Sequence, residues 1–156
     1  MNGPRDTAPG RARGEGHEQV CATSGSTGPV VEVDDFTVSA GEQTWSMLGA
    51  LDPRRRPAAV IAANDLLAFG VMRAARNGRR RVPQLAVVGI DDTQFARVFS
   101  LSLTSVSLGA RRCGDEAARL LLDRMGAPTA EPRIAYVEPR LVVSESSAPA
   151  TPRSGP

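Results

Sequence analysis

Hydrophobic and polar residues follow one another along this chain in runs that predict strands and helices in turn. Two runs are apolar over the length of a strand, at 58–62 and 85–90, and a third strand is predicted at 103–108. Between and around them, apolar residues recur at helical spacing over 39–51, over 110–125 and in the segment between Asn64 and Asn77-Gly78. Strands without a polar face that alternate with helices are typical of a parallel sheet. The pattern therefore predicts an α/β fold.

Weaker patterns predict the remaining elements. Thr7 followed by Pro9 can begin a helix that runs to Cys21, although glycines at 14 and 16 each cost about 1 kcal/mol relative to alanine. Short strands are expected over 30–33, 134–137 and 141–143. The last dozen residues are rich in proline and serine, and we expect them to be disordered.

Length and composition narrow the class of protein. With 156 residues, 41% hydrophobic and 23% charged, the chain has the size and make-up of one soluble domain. Two cysteines and one histidine form neither a disulfide framework nor a zinc site. No apolar run reaches the roughly 18 residues needed to cross a bilayer, and the N-terminus lacks a signal pattern. We expect a soluble protein of a reducing compartment, without metal or cofactor.

Polar side chains follow three of the predicted strands directly, in the groups Asp34-Asp35-Phe36, Asn64-Asp65 and Asp91-Asp92. Because the carboxyl ends of parallel strands meet at one edge of a sheet, these groups are expected around one crevice. Carboxylates accept hydrogen bonds from hydroxyls, an amide both donates and accepts, and an aromatic ring packs on apolar C–H surface. The set suits a polyhydroxylated ligand such as a sugar.

Structural roles for the same side chains remain open. Asp91 is the hardest to explain structurally, because an acid directly after an apolar strand lies at the rim of the sheet. The structural alternatives are a helix cap for Asn64 or Asp65, a turn for Asp92, solvent exposure for Asp34 and core packing for Phe36.

The chain carries no motif of an enzyme. It has no nucleophile elbow and no dinucleotide-binding glycine motif, and the segment 25–28 lacks the lysine of a phosphate-binding loop. His17 has no evident cysteine or serine partner and is expected on a helix surface. The arginine runs at 54–56 and 79–81 are expected to be solvated loop charges. We therefore expect a binding protein and not an enzyme.

The segment 56–70, RPAAVIAANDLLAFG, resembles the signature of the LacI/GalR family of transcriptional regulators. Segments 81–92, 103–106 and 138–146 are similar to that family in order and approximate spacing. Upstream, Gly3-Pro4 and the arginines of 11–13 resemble the family's first ligand-binding turn. The likeness runs from about Gly3 to Ala148.

The resemblance implies the second, parallel-sheet lobe of a two-lobed effector domain like a periplasmic binding protein, present here in incomplete form. It implies that no helix-turn-helix domain is present. The implied units are a partial first helix and loop over 1–29, the core α/β lobe over 30–109, a helix of the missing first lobe over 110–126, return strands over 127–146, and a disordered tail over 147–156.

The resemblance also assigns site residues. Arg13 would clamp the effector, Phe36 would stack on a sugar ring, and Asn64 and Asp91 would hydrogen-bond its hydroxyls, with Arg11 nearer the rim of the cleft. A metal site or catalytic residue is not implied.

The implied partners are a small-molecule effector, either a sugar or a nucleoside, and a second copy of the chain in a homodimer, contacting through 68–76 and the turn at 98–99. Operator DNA would be contacted only through the absent domain. The implied location is the cytoplasm, with no membrane contact. The alternative is a solute-binding protein of a sugar transporter with the same fold.

Overall fold

The computed structural model describes residues 1–77, 85–97 and 102–148. Its sheet has four strands whose order in space follows their order in the sequence. The first three run parallel and the fourth is antiparallel to the third. The predicted α/β fold with a mainly parallel sheet is confirmed. The strands are β1 (Ala59–Ile61), β2 (Ala86–Ile90), β3 (Thr104–Ser107) and β4 (Arg140–Val142).

Four helices accompany the sheet: α1 (Ala8–Ser24), α2 (Val38–Gly49), α3 (Asp65–Asn77) and α4 (Ala110–Gly126). Three of them begin where the sequence supplies a side-chain oxygen for an unpaired backbone N–H. Thr7 accepts from the N–H of Gly10, and Thr37 caps α2 in the same way. Asn64 caps α3, as expected. Short 3₁₀ turns lie at Pro53–Arg55, Gln94–Arg97 and Glu145–Ser147.

The core is built around α3, which packs on β2 and along α2. Leu67, Ala68 and Val71 of α3 are fully buried. Helices α2 and α3 touch through their backbones, because a Cβ on Gly70 would lie well under 3.0 Å from the carbonyl oxygen of Val38. Packing at this point leaves no room for any side chain.

Two predicted strands do not form, because a strand needs a neighbour to pair with. Over 30–33 only one bridge exists, between Glu32 and Asn2. The pairing stops there because Gly3 is followed by Pro4, which has no N–H to donate. Residues 134–137 pair with no strand in the described part of the chain, and Tyr136 is exposed.

The apolar run at 58–62 is also covered less fully than its composition predicts. In β1, Val60 is buried, but Ala59 and Ile61 are exposed, Ile61 to 55%. The prediction of strands buried on both faces is therefore wrong for β1, since nothing in the described residues covers its second face.

The expectation of a disordered C-terminus is wrong for 145–148. The 3₁₀ turn there holds the buried Ser146, whose hydroxyl donates to the carbonyl of Val87 (2.6 Å) and accepts from the N–H of Thr104 (2.8 Å). Hydrogen bonds from the N–H and hydroxyl of Ser102 lower the pKa of Glu145. Three predicted features lie outside the described residues: the rest of the predicted tail at 149–156, the helix stop at Gly78 and the arginine run at 79–81.

Helix α4 forms as predicted but lies apart from the core. Within the described ranges none of its residues is buried, and Leu121, Leu122 and Met125 are 61–68% exposed. None of the described helices is long and apolar enough to cross a membrane.

Replacing Gly70 with alanine tests the contact between α2 and α3. The added methyl group would collide with the backbone of α2, so we expect Gly70→Ala to lower the free energy of unfolding by about 1–3 kcal/mol. Urea unfolding followed by circular dichroism measures this change. Gly114→Ala is the matched control, because Gly114 lies in a helix with open space around it. Alanine at this position should raise the free energy of unfolding by about 0.5–1 kcal/mol. Equal effects of the two substitutions would contradict the proposed backbone contact.

Candidate functional site

Asp91 lies directly after β2, at the carboxyl end of the parallel strands. Its N–H donates to the carbonyl of Val106 (2.9 Å), while the residue itself is exposed. Its φ is 112°, and that of the following Asp92 is 51°. Non-glycine residues adopt positive φ at an energetic cost, and such residues cluster at functional sites. The backbone at this edge of the sheet is therefore held in a disfavoured conformation.

The electrostatic surroundings of Asp91 place three charged groups near one another. Partial burial raises the pKa of the Asp91 carboxyl, and the negative charge of Asp65 raises it further. The guanidinium of Arg13, on α1, opposes both effects by lowering the pKa. The structure thus brings the predicted Arg13 and Asp91 into electrostatic range of each other.

Phe36 packs on the start of the chain and still presents part of its ring. The ring lies so close to Gly3 that a Cβ there would approach the ring atom Cζ to well under 3.0 Å. The residue nevertheless keeps 38% of its surface exposed. Phe36 is therefore held by packing on one side and open on another.

Asn64 has a structural role that is compatible with ligand binding. Its Oδ1 accepts from the N–H of Leu67 (2.9 Å), and its Nδ2 donates to the carbonyl of Phe36 (3.1 Å). The expected helix cap is confirmed for Asn64. One amide hydrogen and one lone pair remain, since an amide offers two of each.

Arg11 is placed differently from the other predicted site residues. Two residues along a helix correspond to about 200° of rotation, so Arg11 projects from nearly the opposite side of α1 from Arg13. It is exposed, and in the part of the chain that the structure describes no hydrogen bond or ion pair joins it to Phe36, Asn64 or Asp91.

A buried cluster beneath Asp91 was not predicted. The carboxylate of Asp65 is 1% exposed and accepts hydrogen bonds from the hydroxyl of Ser105 (2.6 Å) and from the N–H and hydroxyl of Thr93 (2.7 and 2.9 Å). The sequence predicts only a helix cap as the structural role of Asp65. Ser105 carries no distinct signal in the sequence, because the predicted strand 103–108 also contains Thr104 and Ser107.

The remaining candidates have other surroundings. Asp34 is exposed, as its structural alternative expects, and Asp92 forms an ion pair with Arg97 (3.2 Å). The expectation that His17 has no cysteine partner is wrong, because the Cys21 sulfur lies 3.5 Å from its Nε2, one helical turn away. Searched over the described residues, His, Cys, Asp and Glu side chains form no group of three that could hold a metal ion.

Carboxylate, amide, aromatic ring and guanidinium thus lie at one edge of the sheet, on an open face. Two grooves on the molecule lie elsewhere: one beside α3 and one beside the end of α4. The open arrangement fits one wall of a cleft better than an enclosed pocket.

Comparisons with known proteins agree with this description. The family model of the periplasmic binding protein-like domain matches residues 1–147. The HTH-type transcriptional regulator CelR of Thermobifida fusca is 36% identical to this chain over 150 residues, a match that covers 92% of this chain and 43% of that protein.

Solved structures show the same relationship. The structure of a transcriptional regulator CelR–cellobiose complex superposes with a TM-score of 0.79 at 35% identity, covering 94% of this chain and 45% of that one. A regulatory protein of the LacI family from Chloroflexus aggregans superposes with a TM-score of 0.82 at 26% identity, covering 95% and 54%.

The fold and the family model define a periplasmic binding protein-like domain of the kind found in transcriptional regulators. The chain belongs to the LacI family of these regulators, which confirms the resemblance seen in its sequence. It spans about half the length, or less, of the relatives that it matches.

Substitutions at Asn64 separate its two hydrogen bonds. Asn64→Ala removes the cap of α3 and should lower the free energy of unfolding by about 1 kcal/mol. Asn64→Ser is too short to reach the carbonyl of Phe36, but that hydrogen bond is exposed to solvent. Because serine keeps a capping oxygen, this variant should unfold at nearly the wild-type urea concentration. Thr37→Ala, which removes the cap of α2, is the reference for the loss of a cap. If the serine variant were as unstable as the alanine variant, capping would not be the main structural role of Asn64.

Proposed function

We propose that this chain is the effector-binding part of a LacI-family transcriptional regulator and that the effector is a sugar. The observation that carries the proposal is the exposed carboxylate of Asp91, held at positive φ at the carboxyl end of β2. Such a carboxylate accepts hydrogen bonds from sugar hydroxyls. The chain binds its ligand without transforming it, and operator DNA is contacted through another part of the regulator, in the cytoplasm.

Four other side chains complete the proposed site. Asn64 contributes its remaining donor and acceptor to a hydroxyl, and the open side of Phe36 packs on the apolar face of a sugar ring. Arg13 clamps the ligand from α1, and Arg11 lies at the rim. The relationship to regulators favours this function over the solute-binding protein of a transporter.

The same proposal assigns each segment of the chain to one of two lobes. Residues 30–109 form the core of one lobe, with 1–29 leading into it, and α4 belongs to the opposite lobe. The exposed leucines of α4 support this assignment, because an apolar face of that kind is stable only when another element covers it. Residues 127–146 return the chain from α4 to the sheet, where β4 pairs with β3. The ligand then lies between two lobes.

We also propose a homodimer in which α3 contacts a second copy. A groove of about 420 Å³ lies along the segment 68–76, where the family resemblance implies a contact. The second implied contact, at 98–99, lies outside the described residues. The lining of the groove is mainly apolar and includes Leu66, Phe69, Met72 and Phe95. An apolar groove rimmed by arginines is typical of a protein–protein contact.

Asp91→Asn tests the proposed sugar site, because asparagine keeps the shape of the side chain and tolerates positive φ but loses the charge. Loss of a hydrogen bond to a charged group should weaken cellobiose binding by about 1–3 kcal/mol, which is roughly 5- to 150-fold. Isothermal titration calorimetry with cellobiose, glucose, ribose and adenosine measures this loss and ranks the effector class. Asp34→Asn, at an exposed carboxylate, is the control. Unchanged affinity of the Asp91 variant would remove Asp91 from the site.

The same substitution should raise the melting temperature at pH 7. Since the pKa of Asp91 is raised in the folded chain, its contribution to stability is present below the ordinary pKa of 3.8 and is lost as the pH rises through the folded-state value. At neutral pH the ionised group therefore destabilises the fold. Melting curves at pH 7 and near pH 3 measure the difference, which should shrink at the lower pH. A drop in melting temperature at pH 7 would contradict the assigned electrostatics.

Leu66→Glu tests the dimer. Leu66 lines the groove and is 42% exposed, so a charge there should convert a dimer into a monomer in sedimentation-velocity experiments. Met47→Glu, at an exposed position that does not line the groove, should leave the dimer intact. A monomeric wild-type chain, or a dimer that survives Leu66→Glu, would contradict the proposed contact.

A further inference from the structure

We infer that Asp65 and Ser105 are positioning residues of the effector site, whose buried hydrogen bonds fix the turn that carries Asp91. The inference rests on the proposed role of Asp91 in binding the effector. It assigns a function to two side chains that cannot themselves be reached by a ligand, because Asp65 is 1% exposed and Ser105 is fully buried.

The turn after β2 is held at three consecutive backbone N–H groups. The N–H of Asp91 donates to the carbonyl of Val106 (2.9 Å), and the N–H of Asp92 donates to the hydroxyl of Ser105 (3.0 Å). The N–H of Thr93 donates to the carboxylate of Asp65 (2.7 Å). Two of the three acceptors are therefore side chains of β3 and α3, and they hold the two residues that follow Asp91.

Asp65 and Ser105 are linked to each other as well as to the turn. The Ser105 hydroxyl donates to Oδ1 of Asp65 (2.6 Å) while it accepts from the N–H of Asp92. Oδ2 of Asp65 also accepts from the hydroxyl of Thr93 (2.9 Å). A buried carboxylate is tolerated only when such hydrogen bonds replace its water. The cluster joins α3, β3 and the turn into one unit.

Capping of α3 does not account for Asp65, because Asn64 already supplies the capping oxygen. The carboxylate of Asp65 instead reaches across the sheet edge and fills the space beside Gly89 of β2. A Cβ on Gly89 would lie well under 3.0 Å from Oδ1 of Asp65. The negative charge remains favourable at this end of α3, where the helix dipole is positive.

The cluster explains how two adjacent residues keep positive φ. Asp91 and Asp92 adopt φ values of 112° and 51°, and conformations of this kind persist only where the surroundings over-determine them. With the hydrogen bonds to Ser105 and Asp65 removed, the turn is free to relax to negative φ. The carboxylate of Asp91 then leaves the position in which it meets the ligand.

Charge provides a second, independent link between the cluster and Asp91. Partial burial raises the pKa of Asp91, the charge of Asp65 acts in the same direction, and Arg13 acts in the opposite one. Asp92, the other acid of the turn, is ion-paired with Arg97. Replacing Asp65 with a neutral residue should consequently lower the pKa of Asp91.

The test compares two buried serines in the full 156-residue chain. Ser105→Ala removes the hydrogen bonds to Asp92 and Asp65, whereas Ser146→Ala removes bonds of the same kind to Val87 and Thr104, away from the turn. Both variants should melt at lower temperature. Only Ser105→Ala should weaken cellobiose binding, by roughly tenfold or more in isothermal titration calorimetry, and Ser105→Thr, which keeps the hydroxyl, should restore it. If the wild-type chain binds cellobiose, equal affinities for the Ser105→Ala and Ser146→Ala variants would overturn the inference.

A readout without sugar keeps the inference separate from the proposed function. NMR of Asp91 and Asp92 reports φ through the coupling between the amide and α protons, and carboxyl ¹³C shifts report the pKa of Asp91. Ser105→Ala should change both couplings, to values that correspond to negative φ at Asp91 and Asp92. Asp65→Asn should lower the pKa of Asp91. Unchanged values in both variants would overturn the positioning role. If these values change while the wild-type chain binds none of the four ligands, the positioning stands and the proposed sugar function fails.

Discussion

The backbone contact between α2 and α3 is the constraint on which the arrangement of the site depends. Because Gly70 has no side chain, the first turn of α2 can lie directly on α3. The residue that caps α2 is Thr37, so the segment just before it is brought to the N-terminus of α3. There the Asn64 amide binds the carbonyl of Phe36. One close approach in the core thereby sets where a ring and an amide of the site meet.

Local features of the fold could be predicted from the sequence, whereas features that depend on distant partners could not. The N-caps Thr7 and Asn64 are visible in the sequence because a cap acts within three residues. The segment 30–33 has the composition of a strand, but its pairing ends at Asn2 because Pro4 cannot donate a hydrogen bond. Local composition predicts disorder around Ser146, whereas its hydrogen bond to Val87 joins residues 59 positions apart.

Some residues of the candidate site could likewise be predicted from the sequence, and others could not. The rule that ligands bind at the carboxyl ends of parallel strands is enough to select Asn64 and Asp91, which follow β1 and β2. Phe36 is selected by the same rule only through the predicted strand at 30–33, which does not form. Arg13 lies on a helix before the first strand, so only the family resemblance could select it. The positioning role of Asp65 could not be predicted, because an acid at a helix start fits capping equally well and its partner Ser105 is 40 positions away.

The described face also explains why the proposed ligand needs a second wall. Asp91 carries a raised pKa and a disfavoured φ, so the fold bears a cost at this position that a bound ligand can offset. Small-molecule sites cover most of their ligand's surface, and an open sheet edge covers only one side. The exposed leucines of α4 also need a second surface to cover them. In the proposed two-lobed arrangement, a first lobe that packs on α4 would cover these leucines and also form the second wall of the ligand site. Closure of that lobe over the sheet edge would couple effector binding to the arrangement of the two lobes.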